Sequence, residues 1–333
     1  MEISNVSMKN KEEEVETDET VDNILAKLEK VKDPVGDVYR YRYQGFWIQE
    51  FSIKGLISLQ TRFVARNEDI LLASCPKSGT TWLKSLVFAI MKRTDLDFKP
   101  CTNDNNNSPL FTTNPHHLIP LLELSSLPIE NMMPRIMNTH IPYSSLPPSI
   151  KHSDCKIVYI CRNPLDVFVS HWHFSHKFFG DSIEPRHLEE SFDMFCKGIH
   201  AFGPFWDHVL GFWNASLEMP HKILFFKYED LKRDNVFFIK KIAEFLGFPF
   251  SAEEENQGVP KEIERLCSLE HLKSLSVNKT GKYSIGLFEL SNSSFFRKGE
   301  MGDWMNYLTP QMAERGKKLI QEKFGQSGLM FNF

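Results

Sequence analysis

The 333-residue sequence has no C-x-x-C pair and no dense cysteine framework. Its six cysteines are scattered over positions 75, 101, 155, 161, 196 and 267, a spread that argues for reduced thiols and against a disulfide scaffold. No apolar run approaches the roughly 18 residues needed to cross a bilayer, so no membrane span is expected. The N-terminal region carries "KNKEEEVETDET" where a secretory signal would need an apolar core, and that acidity also excludes an organellar transit peptide. A soluble, cytoplasmic chain is the expectation. Neither charge sign dominates: 43 acids against 39 bases give a net charge of -4, which removes the basic footprint of a general nucleic-acid binder. Internal repeats and Gly/Ser/Pro-rich linkers are also missing, so one domain is favoured over two.

What remains is a chain with 41% hydrophobic and 13% aromatic residues, enough to bury a large core. Strand-like and helix-like stretches alternate along it, which predicts an α/β domain with a central parallel sheet flanked by helices. Residues 1–20 are polar and acidic and read as a disordered tail. The polar stretches 102–109 and 251–258 read as exposed loops.

The most informative segment is "LLASCPKSGTTWLKSLVFAI", residues 71–90. Ile70 to Ala73 form a short apolar run suited to a buried strand, although periodicity alone does not separate this from buried helix. Pro76 and Gly79 end it. From Trp82 onward Leu83, Leu86, Val87, Ile90 and Met91 recur at the spacing of one helix face, with Thr80 or Thr81 as the expected N-cap. A loop feeding a helix N-terminus offers unpaired N–H groups and the positive end of the helix dipole. Lys77 adds a full charge, and Ser78, Thr80 and Thr81 add hydroxyls, so the loop suits a phosphate or sulfate group. It is not the nucleotide-triphosphate loop, whose lysine follows the last glycine; here Lys77 precedes Gly79 by two residues.

A second strand-loop-helix unit follows at "KIVYICRNPLDVFVSHWHFSH" (156–176), with Pro164 opening the helix. Arg162 at the strand's end and Ser170 two turns into the helix could meet another anionic group, or Arg162 could simply pair with Asp166. Between the units, Arg135 to Thr139 read as a strand with His140 at its C-terminal end, where open α/β sheets place ligands. Position alone does not separate a catalytic histidine from a structural one. Near the C-terminus, Arg297, Lys298 and Gly299 set two cations on a permissive backbone that again suits an anion.

These elements, in this order, resemble the cytosolic sulfotransferases, most of all those of plants. P-K-S-G-T-T-W (76–82) is similar to the family's 5′-phosphosulfate loop and R-N-P-L-D-V-F-V-S (162–170) to its 3′-phosphate motif. "KYEDL" (227–231) is similar to its adenine-contacting segment, and R-K-G-E-M-G-D-W (297–304) to its C-terminal signature. The resemblance covers about 45–330, the expected sulfotransferase domain. It implies transfer of a sulfuryl group from 3′-phosphoadenosine 5′-phosphosulfate (PAPS) to a hydroxyl or hydroxyl-like group of a small, largely apolar acceptor, leaving PAP.

It further implies that Lys77, Ser78, Gly79, Thr80 and Thr81 hold the 5′ end and that Trp82 stacks on adenine. Arg162, Ser170, Arg297, Lys298 and Gly299 would hold the 3′-phosphate, and Tyr228 would contact the base. His140 matches the catalytic base, and Lys77 would stabilise the leaving group. No metal is expected in this scheme.

Three departures carry expectations of their own. Asn138 stands where animal members have a lysine, so the leaving group depends more on Lys77. Met305 and Pro310 interrupt a dimerisation motif known from animal members, so a monomer or weak dimer is expected. Leu272 lies near where the family often places an aromatic over adenine. His171, His173 and His176 suggest a metal site, but on a helix only the latter two can converge. Phe174, Phe178, Phe179, Phe202 and Phe205 fit either core or an acceptor pocket, as His116 and His117 could border one. A magnesium-dependent P-loop kinase and a non-catalytic nucleotide-binding module are the alternatives.

Overall fold

The computed structural model describes residues 21–35, 38–94, 109–124, 134–179, 185–285 and 288–333. The expected tail at 1–20, Cys101, and all but the last residue of the expected loop at 102–109 lie outside them. A small antiparallel sheet comes first, formed by β1 (Lys30–Lys32), β2 (Tyr39–Tyr43) and β3 (Phe46–Gln49). A four-stranded parallel sheet follows, made of β4 (Ile70–Ala73), β5 (Ile136–Thr139), β6 (Lys156–Cys161) and β7 (Ile223–Lys227) in the spatial order β5-β4-β6-β7. A hairpin of β8 (Lys282–Ile285) and β9 (Phe288–Ser291) completes the strands.

The apolar runs become strands because a parallel sheet is covered on both faces. Alternate side chains therefore sort into two cores. Ile70, Leu72, Ile136, Val158, Ile160, Leu224 and Phe226 enter one, while Leu71, Ala73, Met137, Ile157, Tyr159 and Cys161 enter the other. The long helices α1 (Glu50–Arg62), α2 (Thr80–Lys92), α3 (Pro164–Phe179), α4 (Phe205–Glu218) and α5 (Pro310–Phe324) pack around the sheet. From α2, Leu83, Leu86, Val87 and Ile90 join the first core; Leu165, Val167 and Phe168 of α3 join the second.

Two local expectations need correction. Neither Thr80 nor Thr81 caps α2: Gly79 is the N-cap, at φ 112°, and Thr80 is already helical. A left-handed backbone at the cap excludes a threonine there, because its branched Cβ would be strained. The stretch 251–258 is not a plain loop, since Ala252–Asn256 forms a helical turn with Ser251 and Glu254 as a reciprocal capping box. An acidic first turn suits a helix N-terminus, so the polarity that suggests a loop equally fits a capped exposed helix.

β4 pairs with β5 on one side and β6 on the other, so the chain leaves β4 toward one edge and returns across it. That arrangement makes the C-terminal end of β4 a topological switch point, where open α/β sheets bind ligands.

Candidate active site

Each parallel strand delivers a motif residue as it ends. The phosphate loop begins after Ala73 of β4, His140 follows Thr139 of β5, Arg162 follows Cys161 of β6, and Tyr228 follows Lys227 of β7. Segments more than 150 residues apart in sequence thereby open onto one cleft. It is lined by Lys77, Gly79, Thr80, Thr81, Trp82, His140, Arg162, Ser170, Tyr228, Arg297 and Gly299. Ser78 and Lys298 are not among the lining residues.

The loop's shape is set by two residues with positive φ, Lys77 at 70° and Gly79 at 112°. A Cβ on Gly79 would lie 2.9 Å from the ring of Tyr228 and 3.0 Å from Ile160, so space as well as dihedral requires glycine. Gly299, at φ 65°, is similarly confined: a Cβ there would lie 2.6 Å from Leu269. Tyr228 ties the two glycine turns together, because its hydroxyl donates to the Gly299 carbonyl at 2.9 Å while its ring packs edge-on against Trp82.

Lys77 places Nζ 4.0 Å from the Phe174 ring centroid. Burial, and then Arg297, Arg162 and Lys177, lower its pKa to about 7. The loop is thus electropositive and short of anions. Ser78 is fully buried and its Oγ has no partner within the protein, and the Nε atoms of Arg162 and Arg297 are likewise buried without one. The two orphaned guanidinium groups belong to residues that line the cleft and fit an anionic ligand, whereas the Ser78 hydroxyl is buried outside that lining.

The second cation cluster is less free than the sequence suggests. Asp303 accepts from Arg297 and, at 2.7 Å, from Lys298, which faces this carboxylate rather than the cleft. Burial alone would raise the Asp303 pKa, but hydrogen bonds from Lys298, Asn306 and Arg297 bring it down to about 2. Arg162 does pair with Asp166, at 3.5 Å, and also donates to the Glu300 carbonyl. Asp166 in turn accepts from the main-chain N–H groups of Gly302 and Trp304 at 2.8 and 3.1 Å. That contact fastens the C-terminal signature to α3.

His140 is held from three sides. Its Nδ1 lies 2.7 Å from the Ser74 carbonyl, which can only accept, so Nδ1 carries the hydrogen and Nε2 keeps a lone pair. Its main-chain N–H donates to Glu123 Oε1 at 2.8 Å, while Thr139 Oγ1 donates to Glu123 Oε2 at 2.9 Å. Its carbonyl accepts from His208 Nε2 at 2.9 Å, and Tyr159 donates to His208 Nδ1 at 2.9 Å. Burial pushes the His140 pKa down to about 3, against a hydrogen bond to Ser74 that acts the other way. Burial likewise raises Glu123 to about 7.

Several residues here were not singled out from the sequence: Ser74, Lys84, Glu123, Tyr159 and His208. Lys84 and Glu123 do leave a trace, each being a charge embedded in an apolar stretch. Lys84 adjoins Leu83 on a helix with a buried face, and Glu123 sits between Leu122 and Leu124. Asn138 lines the cleft and donates to the Leu72 carbonyl at 3.0 Å, and Leu272 also lines it.

Much of the cleft is aromatic. Phe174, Phe178, Phe179, Phe202, Tyr283 and Phe295 line it together with His116 and His171, whereas Phe205 belongs to the core. His173 packs its ring edge-on against Tyr307, and His176 bonds the Trp172 carbonyl at 2.8 Å, so the pair expected to converge is drawn to separate partners. Among the described residues, no group of three metal-ligating side chains is present, and no helix is long and apolar enough to cross a membrane.

Known proteins are similar to this chain in sequence and fold. The sulfotransferase domain family matches residues 67–328. Cytosolic sulfotransferase 15 of Arabidopsis thaliana is 46% identical over 304 residues, covering 88% of this chain and 82% of the relative. Flavonol 3-sulfotransferase of Flaveria bidentis is 46% identical, covering 87% and 92%. A mouse sulfotransferase crystallised with PAP superposes with a TM-score of 0.65 at 29% identity, covering 86% of this chain and 95% of that one. With most of its length matched and its motifs gathered at one switch point, this chain belongs to the sulfotransferase family.

Proposed function

We propose that the chain transfers the sulfuryl group of PAPS to a hydroxyl of a small, flat, largely apolar acceptor, with His140 as general base. The observation that carries the reading is that His140, whose bond to Ser74 leaves Nε2 with the lone pair, lines the same cleft as the Lys77 loop. The chain is a sulfotransferase with PAPS as donor, and its relatives are cytosolic enzymes. Residues 45–330 form its sulfotransferase domain.

His140 Nε2 takes the acceptor's hydroxyl proton as the acceptor oxygen bonds to sulfur and the bond from sulfur to the bridging 5′-phosphate oxygen breaks. Negative charge then gathers on that oxygen, where Lys77 and the N–H groups at the start of α2 stabilise it. A neutral histidine is available for this throughout the physiological range, since burial holds its pKa low. The bound polyanion favours the charged form of Lys77 over the neutral one. Ser78, Gly79, Thr80 and Thr81 hold the 5′ end, with Trp82 and Tyr228 against the base. Arg162, Ser170, Arg297, Lys298 and Gly299 serve the 3′-phosphate. Lys298 acts at a distance by sharing Asp303 with Arg297.

The cleft's aromatic lining supports an acceptor class. Six aromatic rings and few polar groups suit a planar aromatic or polycyclic alcohol. A relative that is 46% identical is a flavonol sulfotransferase. The test is transfer of label from PAPS to a panel of flavonols, steroids, hydroxy-acids, desulfoglucosinolates and simple phenols. Turnover of planar phenolic or polycyclic acceptors is expected without added magnesium. Turnover of none of the panel, or an absolute magnesium requirement with ATP as donor, would overturn the reading.

A further inference from the structure

We propose that Lys84 and His116 are positioning residues that turn the Thr81 hydroxyl into a donor aimed at the 5′-phosphosulfate end of PAPS. The proposal rests on the donor-site reading above. Lys84 is fully buried on α2, with Nζ 2.9 Å from the Ile119 carbonyl and 3.2 Å from His116 Nδ1. Burial lowers the Lys84 pKa to about 7, with Glu123 acting the other way. In its ammonium form Lys84 has three donors and no lone pair, and the carbonyl only accepts, so in that form His116 Nδ1 accepts from it. The ring's one hydrogen is then on Nε2, which lies 2.9 Å from Thr81 Oγ1. Thr81 Oγ1 therefore accepts, and its own hydrogen is left to point elsewhere. Thr81 and His116 both line the cleft, where the anion lies.

The bond to the Ile119 carbonyl alone does not call for a group that also reaches His116. The buried positions around it on α2 are Thr80, Leu83, Ser85, Val87 and Phe88, and a smaller or apolar side chain would avoid the cost of burying an amine. What a lysine adds is direction. Without it, the imidazole could carry its hydrogen on Nδ1, and Thr81 could spend its proton on Nε2. A bound anion strengthens the arrangement, because it favours the charged ammonium. The ring is also kept in place by Phe295, stacked at 3.9 Å.

Calorimetric Kd values for PAP in wild type, Thr81→Val, Lys84→Met and the double variant read the coupling. Each single variant is expected to bind PAP about tenfold more weakly, the scale of one hydrogen bond to a charged group. The double variant should be no weaker than Thr81→Val, since with the hydroxyl gone there is nothing left to orient. Losses that multiply to about a hundredfold in the double variant would overturn the proposal.

His116 gives a second reading should Lys84→Met fail to fold. His116→Gln can still donate an amide N–H to Thr81 and should keep affinity within about threefold, while His116→Leu should lose about tenfold. Equal losses in both would overturn the proposal as well. A wild-type protein that does not bind PAP at all would instead overturn the donor-site reading, a distinct result.

Discussion

His140 Nδ1 donates to the main-chain carbonyl of Ser74 at 2.7 Å, which ties the histidine at the end of β5 to the first residue of the loop after β4. The bond crosses the switch point. It fixes the ring's tautomer and keeps the proposed base and the Lys77 loop at one relative position.

Removing the ring should separate chemistry from binding. His140→Ala is expected to lower turnover by about 10²–10⁴-fold, the usual loss for a general base. PAP affinity, measured by calorimetry, should stay close to wild type, because the proposed role of the imidazole is on the acceptor proton and not on the donor. Near-normal turnover in the variant would assign the base to another group.

A glycine remote from the chemistry should matter nearly as much. Gly55 lies on α1 against the turn that carries Glu123, and a Cβ there would fall 1.7 Å from the Glu123 carbonyl oxygen. A helical Gly→Ala change ordinarily stabilises by about 0.4–1 kcal/mol. Here the turn must move, and Glu123 grips both Thr139 and the His140 amide. Gly55→Ala should therefore lower both the melting temperature and kcat while leaving the Kd for PAP nearly unchanged. A melting temperature at or above wild type would show that the turn yields without cost.

Acid should destabilise the fold through its buried rings. Burial holds His140 and His200 near pKa 3 and His208 near 4, all below the ordinary 6.5. Between about pH 6.5 and 3 the unfolded chain binds protons that the folded chain refuses, so stability falls as pH falls through that window. Melting temperatures taken at pH 7.5, 6 and 5 should decline steadily. A flat profile would mean that these rings are open to water.

How much of this was legible beforehand depended on the range over which each feature acts. Both strand-loop-helix units, the strand Ile136–Thr139 and the helix opening at Pro164 follow from local apolar runs and turn residues, and they stand where the sequence puts them. The convergence of Lys77, His140, Arg162 and Tyr228 was legible through motif order, because parallel strands deliver their C-terminal ends to one edge. The supports were not. Nothing near His208 points to the His140 carbonyl, and Glu123 reaches Thr139 across 16 residues that include a segment outside the described ones. Such partners are fixed by packing between elements, and only isolated charges such as Lys84 hint at them. The pairing of Asp303 with the cations at 297 and 298 was hidden for the same reason.

That last pairing reshapes what donor selectivity should look like. Arg162 and Arg297 already hold carboxylate partners, so a donor lacking the 3′-phosphate would not leave bare cations repelling one another. What it would leave is two buried guanidinium Nε groups without an acceptor. A charged hydrogen bond is worth about 1.5–3 kcal/mol, so two such contacts support a preference for PAP over AMP of at least about 100-fold, near 2.7 kcal/mol. Arg162→Ala removes the bond to the Glu300 carbonyl, but Asp166 keeps its two main-chain donors from Gly302 and Trp304, which still anchor the C-terminal signature. Calorimetry with PAP and AMP should find the preference reduced to about tenfold in that variant, since one of the two contacts is lost. Arg162→Lys should recover only part of it, since an ammonium keeps the charge and loses the planar fork. Equal affinity of the wild type for PAP and AMP would make the motifs at 162–170 and 297–304 structural, and would leave the 5′ loop as the only anion site of the cleft.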